Sequence, residues 1–286
     1  MTSRLLPVRL LPAVGLLLLT ASCTTTPAPE GQPPSASEAT AAATRFDAVL
    51  AGDWRTPAFR KRDTYRHPAQ TLDFFGVQAD DVVVEITPGA GWYSEILAPY
   101  LATRGRYVAA LAAATAGSAG ARRNDALRAK FAADPARYGT ATVHEFDPKS
   151  PAFGAPASAD VVLTFRNVHN WVAAGSAADH FTGFFQVLRP GGVLGVVDHR
   201  APAGTDPDSM KRSGYLTEAL VIELATAAGF RLDARSPVNA NPRDHADHPN
   251  GVWTLPPTNR HEPVDAERYR AIGESDRMTL RFVKPG

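Results

Sequence analysis

"EITPGAGWYSEIL", Glu85 to Leu97, puts two glycines and a proline between a run of β-branched residues and the first turns of a helix. An acidic residue four places before the first of two glycines at alternate positions marks a turn whose backbone can pass close to a ligand. The helix that follows points its positive N-terminal end into the same turn, which favours a ligand with an anionic or strongly polar part. No Gly-Lys-Ser/Thr run accompanies the glycines, so a phosphate-gripping P-loop is excluded. A dinucleotide turn wants a third glycine three places beyond Gly91, and that place is Ser94.

The flanking pattern decides the fold. Strand-like runs at 81–86, 105–112, 141–146, 159–165 and 191–199 alternate with helical patterns at 91–102, 124–134 and 177–188. Strands of near-continuous Val, Leu and Ile are buried on both faces, as in a parallel sheet between two helical layers. A helix over 217–230, a strand over 231–237 and a closing strand over 277–284 complete the chain. The order predicts an α/β domain: a doubly wound, mostly parallel, Rossmann-like sheet with helices on both faces and an antiparallel closing strand. Its ligand crevice is expected at the carboxyl ends of the strands. Short helices are expected before it, one in "ATRFDAVLAG" and one from Pro68, whose missing N–H costs nothing in a first turn.

The N-terminus reads differently. Arg4 and Arg9 precede the apolar "LLPAVGLLLLT", and small residues Ala21 and Ser22 lead into Cys23, the only cysteine among 286 residues. This pattern predicts a signal peptide over 1–22 with a lipobox-like cleavage site, Thr20 standing where leucine is usual, and lipidation of Cys23. Residues 23–43 hold little beyond Thr, Pro, Ala, Ser and Glu and read as a flexible tether, leaving 44–286 as the folded domain. The chain is then an exported lipoprotein of the periplasm or cell envelope, attached to the membrane only through its lipid. Removing 1–22 takes away Arg4 and Arg9 and no acid, which turns the formal charge from +1 to −1. That balance, with no basic stripe interleaved with aromatics, argues against nucleic acid as a partner. With its only cysteine at the lipid site, the domain must work with oxygen and nitrogen groups.

Polar residues gather at the ends of two strands. "RNVHNW" places Arg166, Asn167, His169 and Asn170 directly after an apolar strand, on the expected ligand side, where rigid strand ends present functional loops. His169 is a candidate base, and Asn167 or Asn170 would orient substrate or cofactor. "VVDHR" repeats the arrangement with Asp198, His199 and Arg200, which could contact an anionic substrate or pair with one another. Tyr65, Arg66 and His67 could form a lid or simply a solvated helix start. Asp244, His245, Asp247 and His248 share one loop without metal-ligand spacing, so no metal site is assigned. The Ser of "IGESDRM" lacks a nucleophile-elbow context, which disfavours a hydrolase triad.

Several stretches together resemble class I S-adenosylmethionine-dependent methyltransferases, in particular bacterial methyltransferases of the envelope-lipoprotein kind. Glu85, Thr87, Gly89 and Gly91 look like the family's first motif, with threonine replacing the first glycine. "ADVVLTFRNVHNW" resembles its fourth motif and "VLRPGGVLGVVDHR" the helix, turn and fifth strand beyond it. The resemblance covers about residues 60 to 285, including "NPRD", "VWTLPP" and "IGESDRMTLRFVKP". It implies S-adenosylmethionine as cofactor and a small-molecule methyl acceptor. Glu85, Thr87, Pro88, Gly89 and Gly91 would hold the methionine end, with Arg166, Asn167 or Asp147 contacting the rest. Asp147 would face the adenine amino group, or else only start the turn before Pro148. The family's ribose-binding acid falls at Leu111. That departure, together with export, leaves a binding or scaffold protein that kept the fold and lost the reaction as the alternative.

Overall fold

The computed structural model describes residue 2 and residues 46–286. Apart from residue 2, the leader at 1–22, Cys23 and the tether to residue 43 lie outside the described residues. The first described helical turns, 46–50, bring Phe46 against Tyr100, with ring centroids 4.3 Å apart. Three short helices follow: α1 (Pro57–Arg60), α2 (Asp63–Arg66) and α3 (Pro68–Phe74). Then come β1 (Val82–Ile86), α4 (Ser94–Leu101), β2 (Arg106–Ala112), α5 (Ala119–Ala133), α6 (Pro135–Tyr138), β3 (Thr142–Phe146) and β4 (Ala159–Phe165). The second half adds α7 (Val168–Ala174), α8 (Ala177–Val187), β5 (Leu188–His199), α9 (Pro207–Ser213), α10 (Glu218–Ala227), β6 (Arg231–Ser236), α11 (Ala266–Ile272) and β7 (Arg277–Val283).

The seven strands form one sheet in the order β3-β2-β1-β4-β5-β7-β6. All neighbouring pairs from β3 to β5 are parallel, and β7 is antiparallel to both β5 and β6. The expected antiparallel closing strand is β7, which lies between β5 and β6. Strand alternation splits the apolar side chains into two cores. Val84, Val162, Leu194, Val196, Leu280 and Phe282 face the layer of α8 and α10. Val83, Val161, Leu163 and Val197 face the opposite layer, with Leu72 of α3, Ile96 and Leu97 of α4, and Leu127 of α5. Burial on both faces is the physical reason these strands read as apolar runs.

The strand order reverses between β1 and β4, and this is where an open α/β sheet leaves a crevice beyond its strand ends. Val168–Ala174 is helical where the sequence suggested a polar loop, and Gly175 at φ 74 ends it. Among the described residues, no helix is long and apolar enough to cross a membrane.

Candidate active site

The turn after β1 bends through three left-handed residues: Thr87 at φ 51, Gly89 at φ 63 and Gly91 at φ 82. Thr87 donates its N–H to the Ala110 carbonyl of β2 at 2.8 Å, which pins the turn to the sheet. A β-branched residue in this region is strained, and such strain persists where the surroundings over-determine it. The two glycines differ in purpose. No atom lies within 4 Å of where a Cβ on Gly89 would sit, whereas one on Gly91 would meet Leu127 Cδ1 at 2.7 Å. Gly89 opens toward a ligand; Gly91 lets α5 pack.

Glu85 sits below this turn, 3% exposed. Tyr107 donates its hydroxyl to the Glu85 carboxylate at 2.6 Å and lies 2.7 Å from Ser94 Oγ. Burial pushes the carboxyl up to about 7, against the Tyr107 hydrogen bond and the charge of Arg66, which hold it down. A buried carboxylate so poised gains from a cation placed above it.

A cleft of about 310 Å³ opens over Glu85, Thr87, Pro88 and Gly89. Arg166, Asn167 and Asn170 line it from the end of β4, and Phe59, Arg62, Arg66, Trp92, Tyr93, Arg123 and Phe165 complete its walls. Asn167 donates to the Ile86 carbonyl at 2.9 Å and to Thr164 Oγ1 at 3.3 Å, stapling the end of β4 to β1. Tyr93 stacks on Phe165 with centroids 3.7 Å apart, and the Arg66 guanidinium lies 4.8 Å from the centre of the Trp92 ring.

The remaining candidates lie elsewhere. His169, Asp198 and His199 are buried and are not among the cleft-lining residues. His169 Nδ1 is 2.8 Å from Asp198 Oδ1, and Asp198 also accepts the backbone N–H groups of His169 and His199. Arg166 donates Nε–H to His199 Nε2 at 3.4 Å, so the ring proton is on Nδ1, directed at Ser275 Oγ 2.5 Å away. Burial and the charges of Arg166, His169 and Arg277 push His199 well below the usual histidine range, keeping it neutral. Ligand-type atoms of His169, Asp198 and His199 do fall within 4.8 Å of one another. A cation there would face the Arg166 guanidinium, and the group reads instead as a hydrogen-bonded brace behind the cleft wall.

Asp147 is exposed and accepts the Lys149 N–H at 2.9 Å; it serves its own turn and does not line the cleft. Gly91 is also outside the lining, for the packing reason given above. Leu111 is 2% exposed, an ordinary core residue at the end of β2. Arg200 is tied to Asp276 at 2.8 Å and Glu218 at 3.2 Å. Asp244 accepts from His248 and Tyr215 and from the backbone N–H of Asp276, so Asp244 and His248 are bound within the fold. Of the suspected lid, Arg66 lines the cleft, while Tyr65 and His67 line a smaller neighbouring cavity. The aromatic walls, Arg62 and Arg123 were not singled out from sequence. The one signal for Arg62 is the basic run from Arg60 to Arg66, and Arg123 lies outside it.

The architecture is the fold of class I S-adenosylmethionine-dependent methyltransferases. No protein-family model matches the chain. No curated protein sequence matches it either. Among solved structures it is similar to an S-adenosylmethionine-dependent methyltransferase from Aquifex aeolicus, at 13% identity and a TM-score of 0.51, over 85% of this chain and 98% of that one. It is also similar to the [4+2]-cyclase SpnF, at 14% identity and a TM-score of 0.52, over 87% of this chain and 94% of the other.

Proposed function

We propose that this protein is an S-adenosylmethionine-dependent methyltransferase acting on a small molecule. The observation that carries the reading is the open cleft over Gly89 and the buried Glu85, at the point where the strand order reverses. These residues fit the methionine end of the cofactor: a backbone with no Cβ in the way, and a carboxylate that an ammonium group would draw into its charged form. The cofactor, when bound, supplies an electrophilic methyl group on a sulfonium. The protein's own share is alignment and exclusion of water, through the aromatic walls and the stapled ends of β1 and β4. Asn167 and Asn170 orient what lies in the cleft. The Asp198–His169–His199 brace fixes Arg166 and the start of α7, and no proton transfer is assigned to it.

Calorimetric titration of the purified full-length chain with S-adenosylmethionine and S-adenosylhomocysteine tests this. Saturable binding is expected, weakened by Gly89→Val; no heat and no thermal shift at millimolar ligand removes the enzyme. A second reading, a ligand-binding protein without methyl transfer, is favoured by Leu111. Its burial in the core leaves β2 without the ribose-binding carboxylate that the family resemblance implies. SpnF, a cyclase with a similar fold, illustrates that the fold does not dictate the reaction. Binding of an adenosyl ligand without turnover of any acceptor class would support it. We further propose that the chain is exported and anchored through Cys23. Metabolic labelling with a tritiated fatty acid, abolished by Cys23→Ser, is the expected result.

A further inference from the structure

The cleft wall carries more positive charge than the protein itself balances. Glu274 is the only carboxylate pairing with Arg62 (2.6 Å), Arg66 (3.2 Å) and Arg277 (3.3 Å) among the described residues. Among the described residues Arg166 stands beside this group with no carboxylate ion pair, its one side-chain hydrogen bond going from Nε to neutral His199. Its backbone is left-handed at φ 63, a conformation that holds this side chain at the cleft at some cost in strain. Arg62 Nη2 is buried without a hydrogen-bond partner among the described residues, and an orphaned buried donor calls for an acceptor that those residues do not provide. Burial, together with the charges of the other guanidiniums, brings Arg66 down to about 9 and Arg166 to about 10. Four guanidiniums thus share one ion-paired carboxylate, with Asp198 already committed to His169 and the Glu85 carboxyl pushed by burial toward its neutral form against the charge of Arg66.

We infer that Arg62, Arg66 and Arg166 form a subsite for an oxyanion, a carboxylate or phosphate group, carried by the methyl acceptor. This rests on the methyltransferase reading above and names the substrate class for it. The cofactor does not supply the missing charge. Its ammonium is matched by Glu85 drawn into its charged form and its single carboxylate by its own sulfonium, so binding it leaves the excess of guanidiniums on the wall in place. An anionic acceptor complements both the guanidiniums and the sulfonium. The planar fork of Arg166, with both Nη groups free of partners among the described residues, suits two-point recognition of such a group.

The test is calorimetric titration of the full-length chain with inorganic phosphate, ionic strength being held constant with sodium chloride, with and without saturating S-adenosylhomocysteine. Wild type is expected to bind phosphate saturably in both conditions. Arg166→Gln is expected to weaken phosphate by about tenfold or more, the loss typical of removing a charge-assisted partner, and to leave S-adenosylhomocysteine affinity within about twofold. Arg166→Lys, which keeps the charge and loses the fork, is expected to fall between the two and serves if the glutamine variant shows no cooperative thermal transition. Absence of phosphate binding in wild type, or equal loss of phosphate and S-adenosylhomocysteine in the Arg166 variants, overturns the inference; the second result would give the guanidinium to the cofactor's own carboxylate. Phosphate binding that depends on Arg166 in a chain indifferent to S-adenosylhomocysteine would keep the anion subsite and remove the methyltransferase reading.

Discussion

At Gly89 and Gly91 one residue type solves two different problems, and substitution separates them. Both backbones are left-handed, so alanine at either costs about 1 kcal/mol in conformation alone. At Gly91 the new methyl also strikes Leu127 in the core, so Gly91→Ala is expected to lose about 2–3 kcal/mol of unfolding free energy in urea titration. At Gly89 the methyl enters the cleft, so Gly89→Ala is expected to lose only the conformational part while weakening S-adenosylhomocysteine in calorimetry. Equal stability losses with unchanged affinity would show that the cleft is not the binding site. The alternate-glycine spacing was visible in the chain as a ligand turn, yet spacing cannot distinguish a glycine open to a ligand from one pressed against a helix. That difference is made by Leu127, 36 residues further along.

The elements deliver the site by where they end. β1 and β4 stop side by side because Asn167 ties them together, and α3, α4 and α5 cover the face below. β5 is pressed against this layer at Gly195, where a Cβ would meet Leu163 Cδ2 at 2.7 Å and Phe75 at 2.8 Å. Gly195→Ala is therefore expected to cost about 1–3 kcal/mol by overpacking, read as a lower thermal midpoint, with ligand affinity unchanged at temperatures where the fold is intact. Element type was readable for the long runs: strands buried on both faces leave no polar alternation, and α8 keeps an apolar face through Phe181, Phe184 and Val187. The seven-residue α7 was not readable, since two turns carrying Asn, His and Trp have too few apolar positions to declare a period.

For the whole molecule, two buried glutamates set opposite pH limits. Glu274 is held down to about 2, despite a burial penalty that alone would raise it, by Arg66, Arg277 and Arg62. Its stabilising contribution is present above the ordinary value of 4.5 and is lost as pH falls from there through about 2. Glu85 is raised from 4.5 to about 7, so the folded state holds a proton the unfolded chain releases, and stability falls as pH rises through that interval. From these two groups, stability is greatest near pH 4.5 and declines by up to about 3 kcal/mol toward pH 8. Glu85→Gln keeps an acceptor for Tyr107 and is expected to remove the alkaline decline, raising the urea midpoint at pH 8 but not at pH 5. A decline that persists in the variant would assign it to another group. The fold class, the strand succession and the glycine turn were determined by the sequence itself, because burial pattern and backbone permissiveness are local properties that residue types declare in order. Tertiary structure alone decided that Arg62 and Arg66 meet Arg166 from about 100 residues away and Glu274 and Arg277 from more than 200, that Asp147 serves its own turn, and that His169 lies behind the wall. Charge balance and access to a cleft are sums over neighbours in space, and chain order does not list those neighbours.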